Sequence, residues 1–203
     1  VKGQTVTILQ ETAYPNDGDV KLSFTTQDQK PVAFAFQFRT PRWCEKITLR
    51  VNDEAPVTID PAGQKLGCYV LNRTWREGDV ARISMPMTWR FLRGRAVQDG
   101  RMALLRGPMV YCVGKAQNAE LLKKCPEPRN LVIDPASLAE PAKDDSIRPT
   151  GLKAVAKAWL NQDRTGETVT VTLTEFPDPS GQDVYFRVPT LADTSPVRLT
   201  DGE

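Results

Sequence analysis

Apolar and small or polar side chains alternate along VAFAFQF, and this alternation strongly constrains how the chain can fold. A period of two is typical of a β-strand that buries one of its faces. Pro41 ends the run, because proline has no backbone N–H to donate to a sheet. Ile47–Val51 repeats the pattern, and Trp43 lies between the two predicted strands. We expect Trp43 to fill the corner where their apolar faces meet, so the segment predicts the core of a β-sandwich.

Short strands separated by turn residues continue as far as Val113. Residues 1–113 contain about nine of them in all, at a spacing of about 8–12 residues, which is typical of a β-sandwich or barrel. After Gly114 the pattern changes, because five prolines fall between Cys125 and Thr150 and leave little room for regular structure. Apolar alternation returns in three later segments, Leu152–Trp159, Thr168–Thr174 and Asp183–Val188, and the tail 190–203 has no periodicity.

The chain is therefore predicted to be all-β. We expect a jelly-roll-like β-sandwich over residues 1–114 and an irregular, proline-rich connector over 115–150. Residues 151–203 are expected to form a second, smaller β-domain or to add strands to the first one. The chain begins at Val1 without a methionine or a signal-peptide pattern, so we expect a piece of a longer or processed protein.

Composition argues against several classes of function. The 27 basic and 25 acidic residues are well mixed, which does not favour a nucleic-acid partner. No apolar run reaches the length of about 18 residues that a membrane span needs. The chain has no histidine, so histidine-dependent nucleophilic catalysis is excluded within it.

Four cysteines are present, at positions 44, 68, 112 and 125. None forms a C-x-x-C pair and no histidine can assist them, so we expect neither a metal site nor a cofactor in this chain. Free thiols are the favoured interpretation, although three disulfide connectivities are open to four cysteines. The candidate carboxylate pairs lie beside turn residues, where solvated carboxylates are common, so no catalytic residue is predicted.

Three aromatic residues are candidates for carbohydrate contact. Trp75 and Trp89 lie near predicted turns, and Tyr14 opens a dense turn signal. An exposed ring can stack on the C–H face of a sugar. The alternative is that these side chains cap the ends of the sandwich core.

Several short motifs occur in an order that resembles the all-β region of the β-L-arabinofuranosidase-type glycoside hydrolases, family 127 and its relatives. Residues 38–43 (FRTPRW) resemble L-R-I-P-x-W, and residues 51–52 resemble the V-N that follows. Residues 14–18 resemble Y-P-W-D-G. Residues 75–87 resemble W-x-x-G-D followed by M-P-M, and residues 105–111 resemble x-R-G-P-L-V-Y.

The resemblance implies a region that follows a catalytic (α/α)-barrel. In the family, the barrel carries the catalytic glutamate and a zinc-bound cysteine nucleophile, and neither its motifs nor its fold pattern is present here. The implied function is that of a non-catalytic β-domain, which packs against the barrel of a bacterial, secreted or periplasmic glycoside hydrolase. A stand-alone carbohydrate-binding module for arabinose-containing glycans is the alternative, and an isolated hydrolase is a third possibility.

The motif residues are interpreted as architecture rather than chemistry. Arg39 is expected to pair with Asp79 or Glu77 and so fix the strand ends. Arg106, Gly107 and Pro108 are expected to let a strand bend before it returns to the core. Pro41 and Trp43 complete this structural set.

Overall fold

The chain divides into two compact units, Val1–Met87 and Thr88–Glu203. A computed structural model describes residues 1, 3–176, 178–187 and 198–200, with the backbone alone for 182 and 198–200. The division falls after Met87, well before the predicted end of the first domain at Gly114. The mostly β composition of both units confirms the predicted all-β class.

In the described part of the first unit, seven strands form two antiparallel sheets. The strands are β1 (Val6–Thr12), β2 (Asp19–Thr26), β3 (Val32–Arg39), β4 (Ile47–Val51), β5 (Val57–Ile59), β6 (Cys68–Trp75) and β7 (Val80–Ser84). One sheet has the order β1-β2-β7-β4-β5, and the other consists of β3 and β6 alone. The alternating segment at residues 32–38 is β3, as predicted, and it pairs with β6 over its full length.

The two predicted strands that flank Trp43 do not pair with each other, because β3 and β4 lie in opposite sheets. Residues 40–46 carry the chain across the sandwich, and Trp43 packs half-buried against the core at this crossing. The core lies between the two sheets. Its buried members are Leu22, Phe24, Cys44, Ile47, Leu49, Val51, Ile59, Trp75, Ala81, Ile83 and Met85.

The second unit is built on one large sheet. Its strands are β8 (Trp89–Arg93), β9 (Met102–Arg106), β10 (Met109–Gly114), β11 (Val132–Ile133), β12 (Ala142–Lys143), β13 (Leu152–Trp159), β14 (Val169–Glu175), β15 (Gly181–Asp183), β16 (Tyr185–Phe186) and β17 (Arg198–Thr200). The main order is β11-β13-β14-β10-β9-β8-β17. The strands β12, β15 and β16 pair with β13, β10 and β9 respectively. One short helix, α1 (Ala119–Lys124), lies among the described residues.

The pairing of β10 with β14 explains why the predicted domain limits differ from the observed ones. Val113 lies opposite Leu173, so strands from both sides of the proline-rich segment share one sheet. The predicted connector 115–150 is ordered and mostly irregular. It nevertheless contributes β11 and β12, which both pair with β13, so it belongs to the second unit.

The end of the chain differs from its prediction in two respects. The predicted strand Asp183–Val188 is observed as the two short strands β15 and β16, and Val188 lies outside the described residues. Within the tail, which was predicted to be without periodicity, Arg198–Thr200 forms β17 and pairs in parallel with β8. The rest of the tail lies outside the described residues. No helix among the described residues has the length and hydropathy that crossing a membrane requires.

Candidate functional site

An open groove with a volume of about 820 Å³ lies between the two sheets of the first unit. Leu22, Ile83 and Met85 are the most buried of its lining residues. The rest of the lining combines apolar side chains with amides and one guanidinium. These residues are Ile8, Gln10, Thr12, Tyr14, Val20, Phe36, Gln37, Phe38, Arg39 and Pro41.

The groove exists because the two sheets are unequal. Two strands face five, so the smaller sheet leaves part of the larger one uncovered. Phe36 and Phe38 point toward the core from β3 but are only half-buried, and Ile8 on β1 is 40% exposed. Among the described strands, β1 pairs only with β2 and β3 pairs only with β6. Two strand edges with unpaired backbone groups therefore flank an apolar surface, which is the arrangement that native proteins usually cover.

Tyr14 lies in the lining of this groove and is 43% exposed. The backbone N–H of Tyr14 donates to the hydroxyl of Thr12 over 3.0 Å, and that hydroxyl donates to the carbonyl of Asp19 over 2.7 Å. Partial burial raises the pKa of the Tyr14 phenol, and a hydrogen bond with Trp43 opposes that rise. An indole can only donate, so Trp43 is the donor in this bond. Tyr14 is thus held in place and offers part of its ring to the groove.

The other two aromatic candidates for carbohydrate contact are buried. Trp75 has no exposed surface, and Trp89 is 7% exposed. Trp75 occupies the last inward-facing position of β6, and Trp89 packs against Tyr111 with 4.9 Å between ring centroids. Neither ring can stack on a sugar in this conformation, so the alternative, a core role, holds for both. Their position beside turns suggested exposure, but strand alternation points both of them inward.

The Y-P-x-D-G and M-P-M motifs meet in the structure. The amide of Met85 donates to the carbonyl of Gly18 over 3.0 Å. A Cβ atom on Gly18 would lie 1.8 Å from the carbonyl oxygen of Met85, so only glycine allows this close approach. These two segments fix the β2–β7 pair at one end of the groove.

Asp79 is the centre of a second motif contact. It is 7% exposed and accepts hydrogen bonds from the side-chain amide of Asn52 over 2.8 Å and from the backbone of Arg76 over 2.9 Å. The guanidinium of Arg73 lies 3.9 Å away. The predicted pairing of Arg39 with Asp79 or Glu77 is therefore not the observed one. Arg39 is exposed at the groove, since its outward position on β3 turns it away from the core.

In the second unit, Gly107 and Pro108 form the tight turn between β9 and β10. Arg106 lies directly opposite Met109 in the pairing, and Gly107 has a φ of +54°. Glycine adopts this left-handed conformation without steric cost, which the expected sharp bend requires. Arg90 donates to the carbonyl of Gly107, and Arg106 pairs with Glu140 over 3.3 Å.

All four cysteines are free thiols in the structure, as favoured above. Burial raises the pKa values of Cys44, Cys112 and Cys125. A raised pKa lowers the fraction of thiolate, which is the nucleophilic form. Among the described residues, no group of three His, Cys, Asp or Glu side chains could hold a metal ion.

Comparison with known families decides the relationship of the first unit. Residues 1–87 match the family described as the β-L-arabinofuranosidase GH127 middle domain, and these are also the limits of the first compact unit.

The first unit is similar to GH127 middle domains, and it is called the middle domain below.

The resemblance found in the motifs is thereby confirmed. No curated protein sequence matches the chain.

Solved structures with a similar fold extend the comparison to both units. A GH127 β-L-arabinofuranosidase from Geobacillus stearothermophilus T6 is 23% identical, with a TM-score of 0.72 over 93% of this chain and 31% of its own. A protein described as a glycoside hydrolase is 23% identical, with a TM-score of 0.69 over 90% of this chain and 32% of its own. A second GH127 β-arabinofuranosidase is 19% identical, with a TM-score of 0.68 over 98% of this chain and 33% of its own. The chain thus spans about a third of the length of these proteins and shares their fold over that part.

The groove of the middle domain was not found by sequence reasoning. Phe36 and Phe38 were correctly predicted as inward-facing strand residues, but the sequence does not say how many strands face them. The one available signal was in β1, where the adjacent residues Ile8 and Leu9 are both apolar. A strand with one buried face and one solvated face does not need two such neighbours.

Proposed function

We propose that this chain is a non-catalytic region of a longer glycoside hydrolase, in which the groove of the middle domain packs against a catalytic barrel. The observation that carries the proposal is the groove itself, with its half-buried Phe36 and Phe38 between two unpaired strand edges. Exposing apolar side chains and unpaired strand edges to water is unfavourable in free energy. Contact with another part of the same protein would bury them and remove this penalty. The similar proteins are about three times as long as this chain, so each has further polypeptide available for such a contact.

Two neighbouring residues on β1 provide a test with an internal control. Ile8 lines the groove and is 40% exposed, whereas Leu9 points to the other face of the strand and is 60% exposed. The barrel region of the parent protein, produced separately, would be titrated with this chain by calorimetry. Ile8→Asp is expected to weaken association by at least about tenfold, because a carboxylate would be desolvated at the interface. Leu9→Asp is expected to leave association unchanged.

Three results would contradict the proposal. The barrel and the chain would fail to associate, the Leu9 variant would weaken association as much as the Ile8 variant, or the parent reading frame would contain no barrel. Circular dichroism of both variants would verify that they fold, which is expected because both side chains are already exposed.

The alternative of a stand-alone carbohydrate-binding module has less support. Two of its three candidate side chains, Trp75 and Trp89, are buried, and only Tyr14 remains accessible. Arabinose-containing glycans as partners, and a secreted or periplasmic location in a bacterium, stay predictions from the family resemblance.

A further inference from the structure

A small polar pocket in the second unit has no part in the packing proposed above. Its volume is about 160 Å³. It lies where the loop between β8 and β9, the turn at residues 128–130 and the segment 183–185 come together. The polar lining residues are Gln98, Arg101, Arg129, Asp183 and Tyr185.

Hydrogen bonds across these segments fix the pocket. Arg101 donates from Nη1 to the carbonyl of Arg129 over 2.8 Å. The amide of the same Arg129 donates to Oδ2 of Asp183 over 3.3 Å. The backbone carbonyl and the backbone amide of Arg129 are thus bound by side chains of the other two segments. These bonds form the pocket without a ligand.

The loop that supplies Arg101 has an unusual backbone. Ala96 has a φ of +51°, which an L-residue with a side chain seldom adopts. A Cβ atom on Gly94 would lie 2.1 Å from the carbonyl oxygen of Gln98, so the loop closes tightly on itself. The amide of Gly94 also donates to the carbonyl of Arg101 over 2.8 Å. Residues held in such conformations are concentrated at ligand sites.

The two arginines that line the pocket differ in their ion pairs. Arg129 pairs with Glu127 over 3.3 Å. In the part of the chain that the structure describes, Arg101 is half-buried and has no carboxylate within ion-pairing distance. One of its five N–H groups is used by the carbonyl of Arg129, and the others remain available to a ligand. Gln98 and Tyr185, whose side chains carry hydrogen-bond donors, also line the pocket.

We propose that this pocket binds the carboxylate of a small acid, with Arg101 as the principal ligand-binding residue. A guanidinium binds a planar carboxylate through two parallel N–H···O bonds. A doubly charged phosphate fits less well, because Asp183 lines the pocket and Glu127 pairs with Arg129. The volume is far below the roughly 300–1,000 Å³ of pockets for drug-sized ligands, so the ligand is no larger than a single sugar acid. The carboxylate can come from a uronic acid residue of a glycan or from a free organic acid.

The 203-residue chain would be titrated by calorimetry with D-galacturonate, D-galactose, acetate and inorganic phosphate. We expect galacturonate to bind and galactose, which lacks the carboxylate, not to bind. Binding of acetate as tight as that of galacturonate would support the carboxylate site and assign its source to a free acid. Weaker binding of acetate would support a sugar acid. Binding of galactose as tight as that of galacturonate, or tighter binding of phosphate, would overturn the proposal.

Variants separate a specific site from general attraction to charge. Arg101→Gln is expected to weaken galacturonate binding about tenfold or more, as expected for loss of a charge-assisted hydrogen bond. Arg101→Lys, which keeps the charge but not the fork, should recover only part of that loss. Arg164→Gln, at an exposed position of the same unit, should bind like the wild type. Equal binding by wild type and Arg101→Gln would overturn the proposal. Should Arg101→Gln fail to fold, Tyr185→Phe tests the same pocket, with severalfold weaker binding expected and unchanged binding contradicting it.

This proposal does not rest on the packing of the middle domain. A failed titration with the barrel region would not change the conclusion from galacturonate binding. A failed galacturonate titration would not change the conclusion about barrel packing.

Discussion

The rings of Phe24 and Trp75 stack at the centre of the middle domain, with 3.8 Å between centroids and 16° between planes. Phe24 is 1% exposed and Trp75 is fully buried. Phe36 meets the same pair edge-on, at 88° to Phe24. The guanidinium of Arg73 lies 5.8 Å from the centre of the Trp75 ring. This cluster joins the two sheets, so Trp75, rather than Trp43, is the main aromatic anchor of the core.

Trp75→Ala should therefore be strongly destabilising. We expect a loss of about 3–5 kcal/mol in the free energy of unfolding, the usual cost of removing a large aromatic side chain from a core. Trp43→Ala should cost less, about 1–2 kcal/mol, because Trp43 is only half-buried. Urea unfolding monitored by far-UV circular dichroism measures both. Equal losses for the two variants would contradict this assignment of the anchor.

Hydrogen bonds of Asn52 and Asp79 connect the turn after β4 to the start of β7. Besides donating to Asp79, Asn52 accepts from the amide of Val80 over 2.8 Å. Asn52→Asp would place a second carboxylate beside Asp79 and remove a donor, so we expect a loss of about 2–4 kcal/mol. The neighbouring Asp53 is exposed, and Asp53→Ala should change stability by less than about 0.5 kcal/mol. Equal denaturant midpoints for the two variants would contradict the prediction, because they would show that the contact between Asn52 and Asp79 does not stabilise the fold.

Tyr111 predicts how the second unit responds to alkaline pH. Burial, followed by the nearby charge of Glu175, raises the pKa of Tyr111 from 10.0 to about 12. Between these values the unfolded chain has released the phenolic proton and the folded chain has kept it. Stability from this group is therefore complete below pH 10 and is lost as the pH rises through about 12, by roughly 3 kcal/mol in total. Melting temperatures between pH 9 and 12 would show this fall, and Tyr111→Phe should make it shallower. An equal fall in the variant would contradict the assignment.

Glu175 forms a buried ion pair with Arg148. Its carboxylate is 2% exposed and lies 2.6 and 2.9 Å from Nε and Nη2 of the guanidinium. Glu175→Gln removes one charge and leaves the other without its partner, so we expect a loss of about 3–5 kcal/mol. Glu140→Gln is the matched control, because Glu140 is 81% exposed in its pair with Arg106 and should contribute less than about 1 kcal/mol. A small loss in the Glu175 variant, similar to that of the control, would contradict the prediction.

Local pattern was enough to predict most strands but not their partners. The alternation at residues 32–38 identified β3, because period two is a local property of the chain. The strands β3 and β4 lie in different sheets because residues 40–46 cross the sandwich and β3 pairs with β6. A local sequence pattern does not predict this pairing. The proline-rich segment after Gly114 marked a change in composition. It did not mark a domain limit, because β10 pairs with β14 across it.

The candidate site shows the same limit. In β6 the inward positions are Tyr69, Leu71, Arg73 and Trp75. The arginine interrupts the apolar alternation, so the sequence left two interpretations of Trp75 open, an exposed ring near a turn and a cap at the end of the core. Arg73 packs over the tryptophan and reaches Glu54 at 2.7 Å, which allows it to occupy an inward position near the edge of the sheet. The groove was missed because it arises from unequal sheets, a property of the assembled fold.

Hydrogen exchange of the backbone amides, with and without the barrel region, tests the central claim most directly. If the groove of the middle domain is the packing face, β1 and β3 should gain protection when the barrel is added. The strand β5, at the opposite edge of the five-stranded sheet, should exchange at an unchanged rate. Protection at β5 without protection at β1 and β3, or no change in any strand, would contradict the account.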